Sequence, residues 1–191
     1  MATQKLQVGR ALAVIPSDFA NIPFPAVTVS SVATETYAST EYIITQPDDF
    51  NLSTESGELF TAITLGPPYV PGSFYLTDIN VDFIALGVQA GDIVYNYGLM
   101  QAATVMQITN LHTLLLNVPD VGAPGEDYIL YNGQNNNGCV LYIGTSGAIA
   151  VTTVGGDEVV FNSVVEGQFI PVQTIKLSAT LTTAEDILAL W

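Results

Sequence analysis

Hydrophobic positions in this chain fall in short bursts of strand-like periodicity, separated at close intervals by glycine, proline, asparagine and serine. The pattern is densest from Cys139 to Trp191. Runs rich in β-branched and aromatic residues at 140–143, 148–154, 158–161, 169–179 and 187–191 are punctuated by Thr145-Ser146-Gly147, Gly155-Gly156-Asp157 and Glu166-Gly167. Turn signals at this spacing predict consecutive antiparallel strands joined by tight hairpins. In the last run Ile187, Ala189 and Trp191 share one face, and Leu188 and Leu190 share the other. Both faces are apolar, which predicts burial on two sides. The single tryptophan, Trp191, is expected to tuck into a core or an interface.

Upstream, residues 11–15 read as one strand, stopped by Pro16-Ser17-Asp18, a turn in which Asp18 can bond nearby backbone amides. Pro23 and Pro25 then force an extended path, so residues 1–25 are expected to supply a strand and a docking arm. Residues 27–32 alternate with period two, and 42–45 and 59–65 are further apolar runs. Strands are predicted at 74–80, 91–96, 103–109, 113–118 and 128–131. A helical turn is expected at 81–88, a hairpin turn at 110–112 and a loop at 119–125. The polar run 132–138 reads as a hinge. Neither a long amphipathic helix nor a fixed-period repeat is evident.

Two segments carry a resemblance. LYIGTSG (141–147), VTTVGGDEVVF (151–161), EGQFIPV (166–172), TLTTAEDI (180–187) and LALW (188–191) resemble a pattern of small virion proteins of tailed phages, including the head-spike base proteins of phage-like gene transfer agents. In that family a short "PSD…IP" element precedes the pattern; here it reads ALAVIPSD (11–18) followed by IPFP (22–25). In compact members the two segments nearly adjoin, whereas here residues 26–138 separate them. The expected fold is therefore all-β: an antiparallel β-sandwich or barrel domain built from both chain ends (1–25 and 139–191). The 26–138 stretch is an inserted module resembling a small β-barrel.

Composition narrows the function classes. The chain has 191 residues, 49% of them hydrophobic and only 11% charged, which suits packed structure. Three Lys plus Arg against 18 Asp plus Glu give a formal charge of -15. So few cations cannot neutralise a run of phosphates, and nucleic acid is not an expected partner. Basic protein surfaces are the favoured partners, although the charge also serves solubility. No stretch is apolar for long enough to span a bilayer, no secretory signal is evident, and assembly in a host cytoplasm is expected.

Candidate chemistry is sparse. His112, the sole histidine, falls at a hairpin turn and is expected to be solvent-exposed. Cys139, the sole cysteine, excludes an intramolecular disulfide and reads as a small buried hydrophobe. Carboxylates pair at Asp48-Asp49, Glu126-Asp127, Asp157-Glu158 and Glu185-Asp186. Neighbours on a strand point to opposite faces, which works against a catalytic pair. A loop calcium site from Asp120, Glu126 and Asp127 is conceivable but lacks EF-hand spacing. Gly155-Gly156 is not followed by a phosphate-cradling helix and lysine. Thr182 and Glu185 match a capping box, yet 187–191 is read as a strand. No enzyme, cofactor or metal is expected. Tyr37, Tyr42, Tyr69, Tyr75, Tyr95 and Tyr97 lie in the insertion, where they serve either a β core or a glycan-binding surface.

The resemblance implies a virion protein, a head-decoration or spike-base component attached non-covalently to a capsid by edge pairing and apolar burial. A tail or baseplate component and a host glycan-binding module are the alternatives. A homo-oligomer, trimeric or pentameric, is expected. Arg10, Pro16, Phe24, Leu188, Leu190 and Trp191 are the candidate oligomer or capsid interface residues.

Overall fold

The computed structural model describes residues 9–34, 71–133 and 137–191. The expected strands at 42–45 and 59–65, the Asp48-Asp49 pair and Tyr37, Tyr42 and Tyr69 lie outside them. Within the described residues the protein is all-β, with twelve strands in two antiparallel six-stranded sheets.

The first sheet is built from both chain ends. It comprises β1 (Ala11–Ala13), β8 (Cys139–Tyr142), β9 (Gly147–Thr153), β10 (Glu158–Val164), β11 (Phe169–Ser178) and β12 (Leu188–Leu190), in the order β1-β12-β8-β11-β9-β10. β1 lies along β12 with Leu12 opposite Ala189. The series of simple hairpins does not form. Only β9 and β10 are hairpin partners, through a turn in which Gly156 takes φ 89°. β11 lies between β8 and β9 and turns a corner at Thr174, which stands opposite both Cys139 and Thr153. Turn residues report where a chain changes course, but not which strand it will meet, because pairing is set by burial in the finished sheet. The connection from β8 to β9 is possible because it packs backbone against backbone. A Cβ on Gly144 would sit 2.5 Å from the Asp186 carbonyl oxygen, and one on Gly147 2.4 Å from the Ala184 nitrogen.

The second sheet is drawn from residues 27–131. It contains β2 (Val27–Val32), β3 (Tyr75–Thr77), β4 (Ile93–Asn96), β5 (Gln101–Asn110), β6 (Thr113–Leu116) and β7 (Asp127–Tyr131), in the order β2-β7-β4-β5-β6-β3. It curls because β5 pairs with β4 through its first half and with β6 through its second, the latter ladder carrying two register shifts. The curl brings the two sheet edges together at one end. There the Thr34 amide donates to the Thr77 carbonyl at 2.8 Å, and the Thr34 hydroxyl accepts from the Ile79 amide. Leu76, Phe83, Val94, Leu114, Val121 and Leu130 fill the interior. The expected strand at 74–80 shortens to β3, after which Asp78 turns the chain by accepting from the Asn80 amide. The 81–88 segment makes the expected helical turn, with the Leu86 amide donating to the Asp82 carbonyl.

Three apolar clusters hold the molecule together. One lies on the first sheet, around Leu141, Ile143, Ile149, Leu177 and Ala189. The second fills the curled sheet. The third joins the two, because Leu12, Ile15 and Ala20 of the N-terminal segment pack with Ile93, Tyr95, Ala102 and Tyr131. Alternation alone does not set the division of labour along β1 and the residues after it, because Leu12 and Val14, two positions apart, enter different clusters. Val14 belongs to the first cluster, while Leu12 and Ile15 face the curled sheet. Residues of the curled sheet therefore share a core with the N-terminal segment of the first sheet instead of hanging from a bare hinge.

Candidate functional site

The N-terminal arm gathers three of the six candidate interface residues at one place. Phe24 meets Trp191 edge-on, with ring centroids 5.6 Å apart and planes at 78°. The Arg10 guanidinium carbon stands 5.3 Å from the Phe24 centroid, and its nitrogen donates to the Pro25 carbonyl at 2.6 Å. Pro23 and Pro25 set the extended path that delivers Phe24 here. Trp191 is half-buried between two of the apolar clusters, and its indole N–H has no hydrogen-bond partner among the described residues. Leu188 and Leu190 are half-buried in β12, which is hydrogen-bonded to β1 on one side and β8 on the other. Ala189 at the centre of that strand and Ile187 just before it are fully buried. Pro16 sits apart, on the wall of a hollow of about 440 Å³ that it shares with Val14, Met100 and residues 182–187.

A second clamp holds the arm from below. Ser17 caps the turn, its hydroxyl accepting from the Phe19 and Ala20 amides and donating to the Ala102 carbonyl. Both Asp18 carboxylate oxygens accept from Thr180, one from its amide and one from its hydroxyl. Those bonds, with a smaller contribution from Lys176, hold the Asp18 carboxyl below its ordinary range. The Lys176 ammonium donates to the Asp18 carbonyl. Both described cations, Arg10 and Lys176, thus serve to seat the arm.

The titratable residues take structural posts. His112 is half-buried, not solvent-exposed as the turn suggested. Its Nδ1 lies 2.7 Å from the Val81 carbonyl and so carries the proton, pinning the 78–88 segment to the β5–β6 hairpin. Cys139 is buried, as its apolar run implies, and burial pushes its thiol up to about 12. Two buried carboxylates were not singled out by sequence reasoning. Asp78 accepts from the Tyr128 hydroxyl at 2.9 Å, and Asp92 accepts from the Gln89 and Gly133 amides. Both follow the rule that a buried charge is hydrogen-bonded, and their positions beside turn residues are the one available sequence signal.

No group of three or more His, Cys, Asp or Glu that could hold a metal occurs among the described residues. Of the calcium candidates, Asp120 accepts from the Gly72 amide at 2.7 Å, while Asp127 begins β7 exposed. Tyr95 is buried edge-on between Tyr97 and Tyr131, and burial raises its hydroxyl well above the usual tyrosine range. The Tyr97 hydroxyl donates to the Ala13 carbonyl. A hollow of about 530 Å³ opens between Tyr97-Gly98 and strands β2 and β7, but the Tyr128 hydroxyl on its wall is turned to Asp78. No described helix is long and apolar enough to cross a membrane.

No protein-family model matches the chain, and no curated protein or solved structure matches it.

Proposed function

We propose that this protein is a non-enzymatic structural component of a tailed-phage particle, a head-decoration or spike-base protein attached to the capsid. The observation that carries the reading is the split base. The two segments with the virion-protein resemblance, 11–25 and 139–191, build one sheet, with the intervening residues as an insertion. The motifs and the acidic, all-β character of the chain support the same reading. The base would face the particle and the curled sheet would project or bridge to neighbours. Copies would associate into closed trimers or pentamers, so that many modest contacts add up to firm attachment.

Purified particles from the host that encodes the chain test this directly. Peptides of the protein should appear in them at a fixed ratio to the major capsid protein, and immunogold label should decorate heads. Label confined to tails would move the protein to the tail or baseplate. Particles free of it would end the structural reading.

A further inference from the structure

We propose that the open edge of β10, with the hollow beside it, docks an extended segment of another protein that is apolar at its centre and basic at its flanks. The first sheet has two edges. At β1, a strand of three residues, the Tyr97 hydroxyl takes the Ala13 carbonyl and Leu12 packs against the curled sheet, so that short edge is partly engaged. β10 has β9 on one side and no strand on the other among the described residues.

The register shows which groups face outward. The Thr153 amide donates to the Asp157 carbonyl, which makes Thr153 and Asp157 a hydrogen-bonded pair. In an antiparallel ladder such pairs alternate, so Val159 and Phe161, opposite Val151 and Ile149, also bond to β9. Glu158 and Val160 then turn their N–H and C=O groups to the open side. An unpaired row of this kind is a template for an added strand. Edges left open to water are commonly guarded by Lys or Pro; here the centre carries Val159 and Val160, 38% and 42% exposed. The register shift before Val164, with Ser163 at φ 57°, limits the regular edge to four residues.

Beside this edge lies a hollow of about 370 Å³ on the outer face of the sheet. Ala150 and Ser178 floor it, Val160 and Leu181 wall it, and Glu158 and Asp18 bring carboxylates to it. Small floor residues with apolar walls and an acidic rim suit a Lys or Arg side chain, its methylenes on the valine and leucine and its charge toward Glu158. Asp157 and Glu158 open the strand, Glu166 follows it, and all three are exposed. Of the described cations, Arg10 lies on Phe24, away from the hollow, and Lys176 is already bonded to the Asp18 carbonyl, which leaves Glu158 as the carboxylate a bound cation would meet. A second copy would bring another -15 to this rim, whereas a basic segment complements it. The inference rests on the structural-component reading only for the partner being another particle protein.

The test is selection from a displayed library of random nine-residue peptides against the immobilised full-length protein at low salt, followed by affinity measurement on recovered peptides. Recovered sequences should alternate apolar and polar residues at the centre and carry Lys or Arg at one or both ends. Val160→Pro deletes an outward-facing N–H and leaves the ladder to β9, so it should weaken binding about tenfold or more at unchanged melting temperature. Glu158→Lys should weaken it about three- to tenfold, more at low salt than at high. No enriched class, acidic peptides, or binding indifferent to both variants would overturn the proposal. So would a dimer in solution that Val160→Pro returns to monomer, because the edge would then belong to a second copy. If peptides fail but particles contain the protein, only the edge assignment falls. If peptides bind but particles lack it, the site stands and the particle role falls.

Discussion

Phe24 and Trp191, 167 positions apart in sequence, meet edge-on with centroids 5.6 Å apart, and that contact closes the arm onto the first sheet. Trp191 also holds the arm through its backbone. Its amide donates to the Arg10 carbonyl, and its carbonyl accepts from the Gly9 and Arg10 amides. Side chain and main chain can therefore be separated by mutation. Trp191→Ala should cost about 2–3 kcal/mol, less than a fully buried aromatic because the ring is half-buried. Deleting Leu190 and Trp191 together should cost more, since the paired backbone goes too. Urea unfolding of the three proteins checks the order, and equal midpoints would show that the contact contributes nothing.

A buried carboxylate sets the second expectation. Tyr128→Phe removes the hydroxyl that donates to Asp78 and leaves the Asn80 amide as its other donor. Loss of one donor to a buried charge should cost about 1–3 kcal/mol. Adding Asp78→Ala to Tyr128→Phe should cost less than the sum of the two single changes, because the stranded charge is gone.

Glycine substitutions discriminate between close packing and open turn. Gly147→Ala would drive its Cβ into the backbone of Thr183 and Ala184, which cannot move aside, and should cost several kcal/mol or block folding. Gly155→Ala, whose nearest contacts are side-chain oxygens at 3.4 and 3.6 Å, should change stability by under about 0.5 kcal/mol. Thermal melts of both variants check the contrast.

Stability should fall on the alkaline side. Burial raises the Cys139 thiol from 9.0 to about 12, and it raises Tyr95, Tyr97 and Tyr128 as well. Above pH 9 the unfolded chain releases the thiol proton that the folded chain keeps. The Cys139 contribution is thus complete below pH 9 and declines as pH climbs toward 12, by about 1.4 kcal/mol per pH unit. Cys139→Ser should flatten the first part of that decline, and the thiol should resist aromatic disulfide reagents until the protein unfolds. Asp18 acts at the other end. Its folded carboxyl lies below 3.8, so its contribution is present above that pH and is lost as pH falls through the lowered value. Asp18→Asn should remove only this acid-side slope.

Self-association, if it follows the proposed role, must overcome like charge. With a net charge of -15 per chain, raising salt should favour the oligomer by screening repulsion. Sedimentation velocity at two salt concentrations measures this, and a monomer at high concentration in moderate salt would count against an oligomeric base.

The sequence by itself determined the all-β class, because short β-branched runs between Gly, Asn and Pro leave strands as the only way to bury so many apolar residues without long helices. It also determined the identity of the strand centres, since alternation is a local property of the pleat. The burial of Cys139 and the docking of the 11–25 segment were legible for the same reason. Tertiary structure decided the neighbours. β11 separates β8 from β9, and no turn residue could announce it, because pairing depends on which faces remain unburied once the chain has collapsed. It also decided that Leu12, Ile15 and Tyr95 share one core. It also brought Arg10, Phe24 and Trp191, three of the candidate interface residues, into contact with one another within the chain. Among the described residues β10 ends the first sheet, and its neighbouring Val159 and Val160 break the apolar-polar alternation that a strand with one face in water would keep. That break was visible in the sequence, but only the sheet order shows that no described strand pairs with the other side of β10.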